Sequence, residues 1–334
     1  MNLTFLKQIT FIRTRFEFQP APSKITPELP PFAGSALRGA FGHAFRKRLC
    51  WFGGQTPQNP CEISGECSHP AQCEYFRLFE RSHQNNTAGP NVVKPYILEP
   101  PIPPELEAIA SASSPIIPPF FELPPRTLTN HTPLAVPKGF SVGFTLLGQA
   151  ASLLTPVTDL LRLSPLQIGP HRFVLHRVSD PIAASLGGNH NTPVSNTLRI
   201  GLITPCRLRA SSKEGGDYRF DAQDFATQFW QSALIRAMRV RDQFCNGAGE
   251  RLPWIDFDPP GILPKVTRTQ LYRYHYERLS NRQHKKMDFD GMIGSIWYEG
   301  EGLQQLAPLV EAAEVLHIGQ KATFGLGLVK ADWC

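Results

Sequence analysis

Charge is scarce in this chain of 334 residues: Asp, Glu, Lys and Arg together make up 19%, against roughly 25% in an average soluble protein. That scarcity excludes a coiled coil, which needs Glu- and Lys-rich heptads. No apolar run reaches the roughly 18 residues that a membrane-spanning helix requires, so a membrane partner is not expected. The glycines have no period of three, which excludes collagen, and no repeat of solenoid length is visible. The segment LTFLKQITFIRTRF reads as a first strand and not as a secretory leader, because it alternates, carries charge early and has no small-residue cleavage site after an apolar core. Seven cysteines without such a leader point to a reducing cytoplasm and away from a disulfide framework.

What is abundant is punctuation. The chain holds 26 glycines and 32 prolines, which argues against an all-helical bundle. Lys and Arg number 34 against 28 acidic side chains, a net charge of +6, and that balance favours a polyanionic partner. The length suggests two domains.

Alternation in ITFIRTRFEF puts Thr10, Ile12, Thr14, Phe16 and Phe18 on one side and Arg13, Arg15 and Glu17 on the other, a half-buried strand. After a proline-rich break, Ser35 is placed to cap a helix. In SALRGAFGHAFRKRL, Leu37, Phe41, Ala44, Phe45 and Leu49 form an apolar stripe, while His43, Arg46 and Lys47 share another face at i, i+3 and i+4. Gly39 and Gly42 each cost that helix roughly 1 kcal/mol against Ala, which predicts close approach of another backbone. Residues 90 to 137 are proline-dense and read as an irregular connector with one or two short strands, and a domain boundary is expected near Pro137. The pattern restarts with GFSVGFTLLG, a helix through TPVTDLLRL, strands in RFVLHRV and TLRIGLITPCRLR, and an amphipathic helix with Phe225, Phe229, Ala233, Ala237 and Phe244 inward. This order of strands and helices predicts an α+β protein of two tandem ferredoxin-like domains, residues 1–137 and 138–334.

Several clusters carry chemistry. The segment Gly319 to Gly327, GQKATFGLG, has neither the order of a nucleoside-triphosphate loop nor that of a dinucleotide fingerprint. It is either a glycine-rich hairpin or a turn whose backbone N–H groups and Lys321 meet a larger polyphosphate such as RNA. His43 is either a surface histidine or a proton donor and acceptor whose cationic neighbours stabilise a phosphorane. Cys50, Cys61, Cys67 and Cys73 are spaced more loosely than in zinc fingers. They are either four reduced thiols or a structural zinc site, with His69 as a substitute ligand. YRYHYERLSNRQHKK interleaves Tyr272, Tyr274 and Tyr276 with cations, which suits either stacking on single-stranded RNA or a solvated strand edge. The helix with Arg236, Arg239 and Arg241 offers phosphate contacts or a solvated face.

The segment IGQKATFGLGLV near the C-terminus resembles the glycine-rich loop of the RAMP superfamily. With LSNRQHKKMDFDGMIGSIWYEG upstream, PFAGSALRGAFGHAFRKRLC and CEYFRLFE, the chain resembles the CRISPR Cas-six endoribonucleases over nearly its whole length. The resemblance implies an enzyme that binds the repeat hairpin of a CRISPR precursor RNA and cuts at its 3′ base without a catalytic metal, leaving a 5′-hydroxyl and a cyclic phosphate. It maps the general acid/base onto His43 and transition-state stabilisation onto Lys47, Arg46 and Arg38. RNA phosphates would meet Gly319, Gln320, Lys321, Thr323, Gly325 and Gly327, with Arg282 and Gln283 nearby. The glycine loop and positive charge also fit a non-catalytic RAMP subunit that holds guide RNA beside other subunits of a CRISPR effector complex.

Overall fold

The first strand forms where the alternation places it, and its aromatic side decides which face of the sheet the helices cover. In the computed structural model, which describes residues 2–49, 73–80, 93–111, 127–129, 132–188, 195–208, 222–245, 252, 264–280, 285–288 and 290–334, β1 runs over Thr10–Pro20. It buries Thr14, Phe16 and Phe18. Helix α1, Gly34–Leu49, follows and buries the expected Leu37, Phe41, Ala44 and Phe45. Phe41 stacks on Phe144 at 6.1 Å, and Phe16 lies 5.6 Å from the same ring. Ser35, expected as the cap, sits inside the first turn with its hydroxyl buried and without a hydrogen-bond partner.

The chain continues through β2 (Tyr96–Glu99), α2 (Pro104–Ser111), β3 (Phe140–Leu147), α3 (Leu154–Leu163), β4 (Leu166–Ile168), β5 (His171–Val178) and β6 (Ile182–Ser185). The first sheet has the order β2-β3-β1-β5-β4, and β6 also pairs with β1. β1 and β3 are antiparallel, with Phe16 opposite Val142 and Phe18 opposite Phe140. The second sheet is built from β7 (Thr197–Cys206), β8 (Lys265–His275), β9 (Gly291–Glu299) and β10 (Val329–Trp333) in the order β10-β7-β9-β8. Helices α4 (Ala222–Val240) and α5 (Ala307–Leu316) cover one face, and Phe225, Phe229, Ala233, Ala237 and Phe244 are all buried as the amphipathic pattern requires. Each half contains a core of strand, helix, two strands, helix and strand, with its first strand between the third and the last of that core; in the first half the last core strand is β5, and α2, β4 and β6 are additions. The fold is therefore two tandem ferredoxin-like domains. No helix among the described residues is long and apolar enough to cross a membrane.

The division between domains does not fall at Pro137. Strands β3 and β5 lie beyond that proline yet pair directly with β1, because a ferredoxin-like sheet needs its third and fourth strands on either side of the first. The chain passes from one sheet to the other between Ser185 and Thr197. The connector is also more ordered than its prolines suggest. It supplies β2 and α2, and α2 packs on the second sheet, where Arg199 and Ser295 both donate hydrogen bonds to the Ala110 carbonyl. Thr127–Thr129 then adds a parallel strand to β8.

The domains meet where α1 begins. A Cβ at Gly34 would overlap the Phe324 carbonyl oxygen, which lies in the second domain. The backbone contact expected at Gly39 and Gly42 is thus found earlier in the helix, at Gly34. Gly39 is exposed, and a Cβ on Gly42 would meet only the Phe79 ring at 3.4 Å, an ordinary contact. Replacing Gly34 by Ala is expected to lower stability by about 1–3 kcal/mol, the cost of overpacking. Urea unfolding measures this, and a change under about 0.5 kcal/mol would contradict the close contact.

Candidate active site

Helix α1 buries one face in the first domain and leaves the other open. That open face carries His43, Arg46 and Lys47 one turn apart, with His43 and Lys47 exposed and Arg46 half-buried. It forms one wall of a groove of about 1320 Å³. The opposite wall comes from the end of α3 and the β4–β5 hairpin, through Leu163, Gln167, Ile168 and Arg172. Tyr75 and Phe79 line the groove beside α1, and Tyr276 enters from the second domain.

Five cations line this space: Arg38, Arg46, Lys47, Arg48 and Arg172. None of the described residues around it is acidic. Cations gathered on a concave wall focus a positive potential and attract an anionic backbone. The four residues expected in catalysis, His43, Lys47, Arg46 and Arg38, are all brought to this groove. Arg48 was within reach of sequence reasoning, because it extends the same basic run. Arg172 was not, since only the antiparallel return of β5 carries it across from α1.

Arg38 is held differently from the others. Its guanidinium carbon lies 4.7 Å from the Phe324 ring and 5.9 Å from the Phe79 ring. Phe79 is itself stacked on Tyr75 at 5.4 Å. Such cation–π contacts contribute about 0.5–2 kcal/mol each. The Arg38 Nε is buried and has no hydrogen-bond partner.

The glycine-rich turn is not an open cradle. Thr323, Gly325 and Gly327 are buried, and Gly319, Gln320, Lys321 and Phe324 are half-exposed. The N–H groups of Gln320, Phe324, Gly325 and Gly327 already donate to the carbonyls of Arg207, Lys321, Ala322 and Pro205. Gly319, Gly325 and Gly327 take positive φ angles of 79°, 80° and 75°. A Cβ at Gly325 would run into Pro100 of the first domain, so this glycine serves the domain contact. Lys321 is itself left-handed, at φ 64°.

Other candidates are absorbed by packing. Tyr274 is 1% exposed and clusters with Leu106 and Ile293 under α2. Burial, with Tyr276 and Glu105 nearby, pushes its phenol up to about 12, so it does not stack on RNA. Tyr276 meets Phe32 edge-on at 6.4 Å. Arg236 donates to the Leu316 carbonyl and Arg241 to Gln8, so neither is a solvated phosphate contact. Burial, with Arg239 close by, lowers the Arg236 pKa to about 10. Arg282, Gln283, His69, Cys50, Cys61 and Cys67 lie outside the described residues. Cys73 is buried and accepts the Phe76 N–H at 3.4 Å, and no cluster of three metal-ligating side chains occurs among the described residues.

A charged seam missed by sequence reasoning lies behind the turn. Arg13 donates to both Glu99 carboxylate oxygens, at 2.5 and 2.6 Å. His317, fully buried in the second domain, brings Nε2 to 3.8 Å from Glu99, an ion-pair distance too long for a hydrogen bond. Its Nδ1 lies 3.1 Å from the Leu326 carbonyl, an acceptor, so Nδ1 carries the proton there. Burial pushes the Glu99 carboxyl up, but His317 and Arg13 more than offset it and hold the group at about 2.

Two ferredoxin-like domains joined at a glycine-rich turn beside a cationic groove define an α+β protein with a candidate site for a polyanion. Residues 9–184, more than half of the chain, match the family model AF_1859_N, an N-terminal domain. Residues 200–329 match the CRISPR-associated endoribonuclease Cas6. A solved Cas6 product complex superposes with a TM-score of 0.50 at 15% identity, covering 96% of this chain and 100% of its own. Thermus thermophilus Cas6 is similar at 13% identity and a TM-score of 0.49, covering 97% and 99%. Among curated proteins, none matches the sequence. Through residues 200–329 the chain matches the Cas6 family, whose members are RNA-cleaving proteins of CRISPR RNA processing, and residues 9–184 belong to the AF_1859_N family.

The seam predicts a response to acid. Because the folded Glu99 pKa is depressed from 4.5 to about 2, its stabilisation is present above 4.5 and is lost as pH falls through 2. The shift corresponds to about 3 kcal/mol. Urea unfolding should show Glu99→Gln less stable than wild type by about that amount at neutral pH. The gap should close as the pH is lowered towards the folded value. A gap of equal size at neutral pH and near the folded pKa would contradict the assignment.

Proposed function

We propose that the groove holds the repeat of a CRISPR precursor RNA at the 3′ base of its hairpin and cuts it by transesterification. The ribose 2′-oxygen attacks the adjacent phosphorus, the bond to the 5′-oxygen breaks, and a 2′,3′-cyclic phosphate and a 5′-hydroxyl result. His43 takes part as the proton carrier, as the base that accepts the 2′-OH proton or as the acid that supplies the leaving 5′-oxygen. Arg38, Arg46 and Lys47 balance the charge that builds on the phosphorane. Electrophilic stabilisation by these cations leaves no step that requires a metal ion.

The observation that carries this reading is the convergence of His43 and five cations on one groove with no acidic residue among its described lining. A phosphodiester needs charge neutralisation and proton transfer at one place, and α1 offers both on one face. Family membership supports RNA as the substrate, and the Cas6 structure with the highest similarity given above was solved with its product. Of the turn residues, Lys321 and Gln320 keep enough exposure to meet a phosphate beyond the cleaved bond.

Incubation of the purified protein with labelled repeat RNA in EDTA tests this. A single cut is expected, ending in a cyclic phosphate. His43→Ala should slow the cut by about 100-fold or more, the usual contribution of general acid/base catalysis, with the dissociation constant for RNA changed by less than about threefold. Tight binding without cleavage across repeat RNAs would instead place the chain with the non-catalytic RAMP subunits.

A further inference from the structure

The glycine-rich turn invites a direct role in holding RNA, yet its backbone is spent on other contacts. Four of its N–H groups are committed to carbonyls, and Thr323, Gly325, Leu326 and Gly327 are buried. What the turn does bring to a residue of the groove is one side chain. Phe324 reaches across the domain boundary and covers Arg38 at 4.7 Å, while Phe79 flanks the same guanidinium at 5.9 Å. The Phe324 carbonyl lies so close to Gly34 that no side chain fits there. The turn thus touches α1 twice within one helical turn, once at its first residue and once at its first cation.

That clamp has a chemical consequence. A guanidinium is planar and carries five N–H donors, and rings packed beside it restrict the orientations it can take. No carboxylate among the described residues pairs with Arg38, and its Nε is buried without a hydrogen-bond partner. Lys47 and Arg48, by contrast, are exposed on flexible stems.

We infer that the turn acts as a strut for the catalytic helix, with Phe324 as a positioning residue that holds Arg38 ready for the scissile phosphate. This rests on the reading of the groove as the site of RNA cleavage. The glycines are required because the strut must fold tightly against Pro100, Ile318 and Arg207, not because RNA approaches them. Phe324 contributes to the rate through Arg38 and does not touch the RNA.

Single-turnover cleavage of labelled repeat RNA at saturating protein, together with RNA affinity, tests the inference. Phe324→Leu should slow cleavage by about tenfold while changing affinity by less than about threefold. Phe324→Tyr, which keeps the ring, should cleave at close to the wild-type rate. In an Arg38→Ala background, Phe324→Leu should change the rate by less than about twofold, because its effect runs through Arg38. Thermal unfolding checks that each variant is folded, and Phe324→Met repeats the comparison should the leucine variant not fold. A wild-type rate in both ringless variants overturns the inference. So does a full further loss in the Arg38→Ala background, or a loss of affinity with the saturated rate unchanged. Should the wild-type chain cut no repeat RNA, the groove reading itself fails; should it cut while Phe324→Leu and Phe324→Met match it, only the strut fails.

Discussion

The contact on which this architecture depends is the meeting of Gly34 with the Phe324 carbonyl. It fixes the first residue of α1 against the second domain. Everything functional on α1 is then measured from that anchor, because helical geometry sets the direction of Arg38, His43, Arg46 and Lys47 once the start is fixed. The anchor holds because the turn from Ile318 to Leu328 is braced from both sides. Thr204 donates its hydroxyl to the Gly325 carbonyl at 2.7 Å and accepts the Leu328 N–H at 2.9 Å. On the other side, a Cβ at Gly325 would meet Pro100, just beyond β2.

Charge is distributed in two opposite ways around this contact. At the seam, Arg13 compensates the buried Glu99 carboxylate, and His317 lies beside the pair. In the groove, cations are gathered with no acidic counterpart among the described lining, an arrangement that is tolerable only because most of them reach solvent. The first arrangement stabilises the joint between domains. The second leaves a potential that an anionic backbone satisfies, and the clamp of Phe79 and Phe324 allows Arg38 to sit half-buried within it.

Much of this was legible in the residues. The aromatic alternation of β1, the stripe of α1 and the stripe of α4 reported their periods faithfully, because each faces one core and one solvent layer. The face of α1 with His43, Arg46 and Lys47 followed from spacing alone. The Pro137 boundary misled because prolines mark a turn in the chain without saying which sheet the next strand joins. Tyr274 misled because an aromatic in an exposed-looking strand gives no sign that α2 will cover it. The Arg13–Glu99–His317 seam could not be read at all, since its members stand 86 and more than 200 positions apart.

By itself, then, the sequence determined the two ferredoxin-like units and the cationic face of α1. These are local properties, set by periodicity and helical spacing. Only the tertiary structure decided that the glycine-rich turn is buried against the first domain, that Arg172 completes the groove from the opposite wall, and that Phe324 reaches Arg38. Such contacts arise from the register of distant strands, and no window of neighbouring residues encodes the distance between two domains.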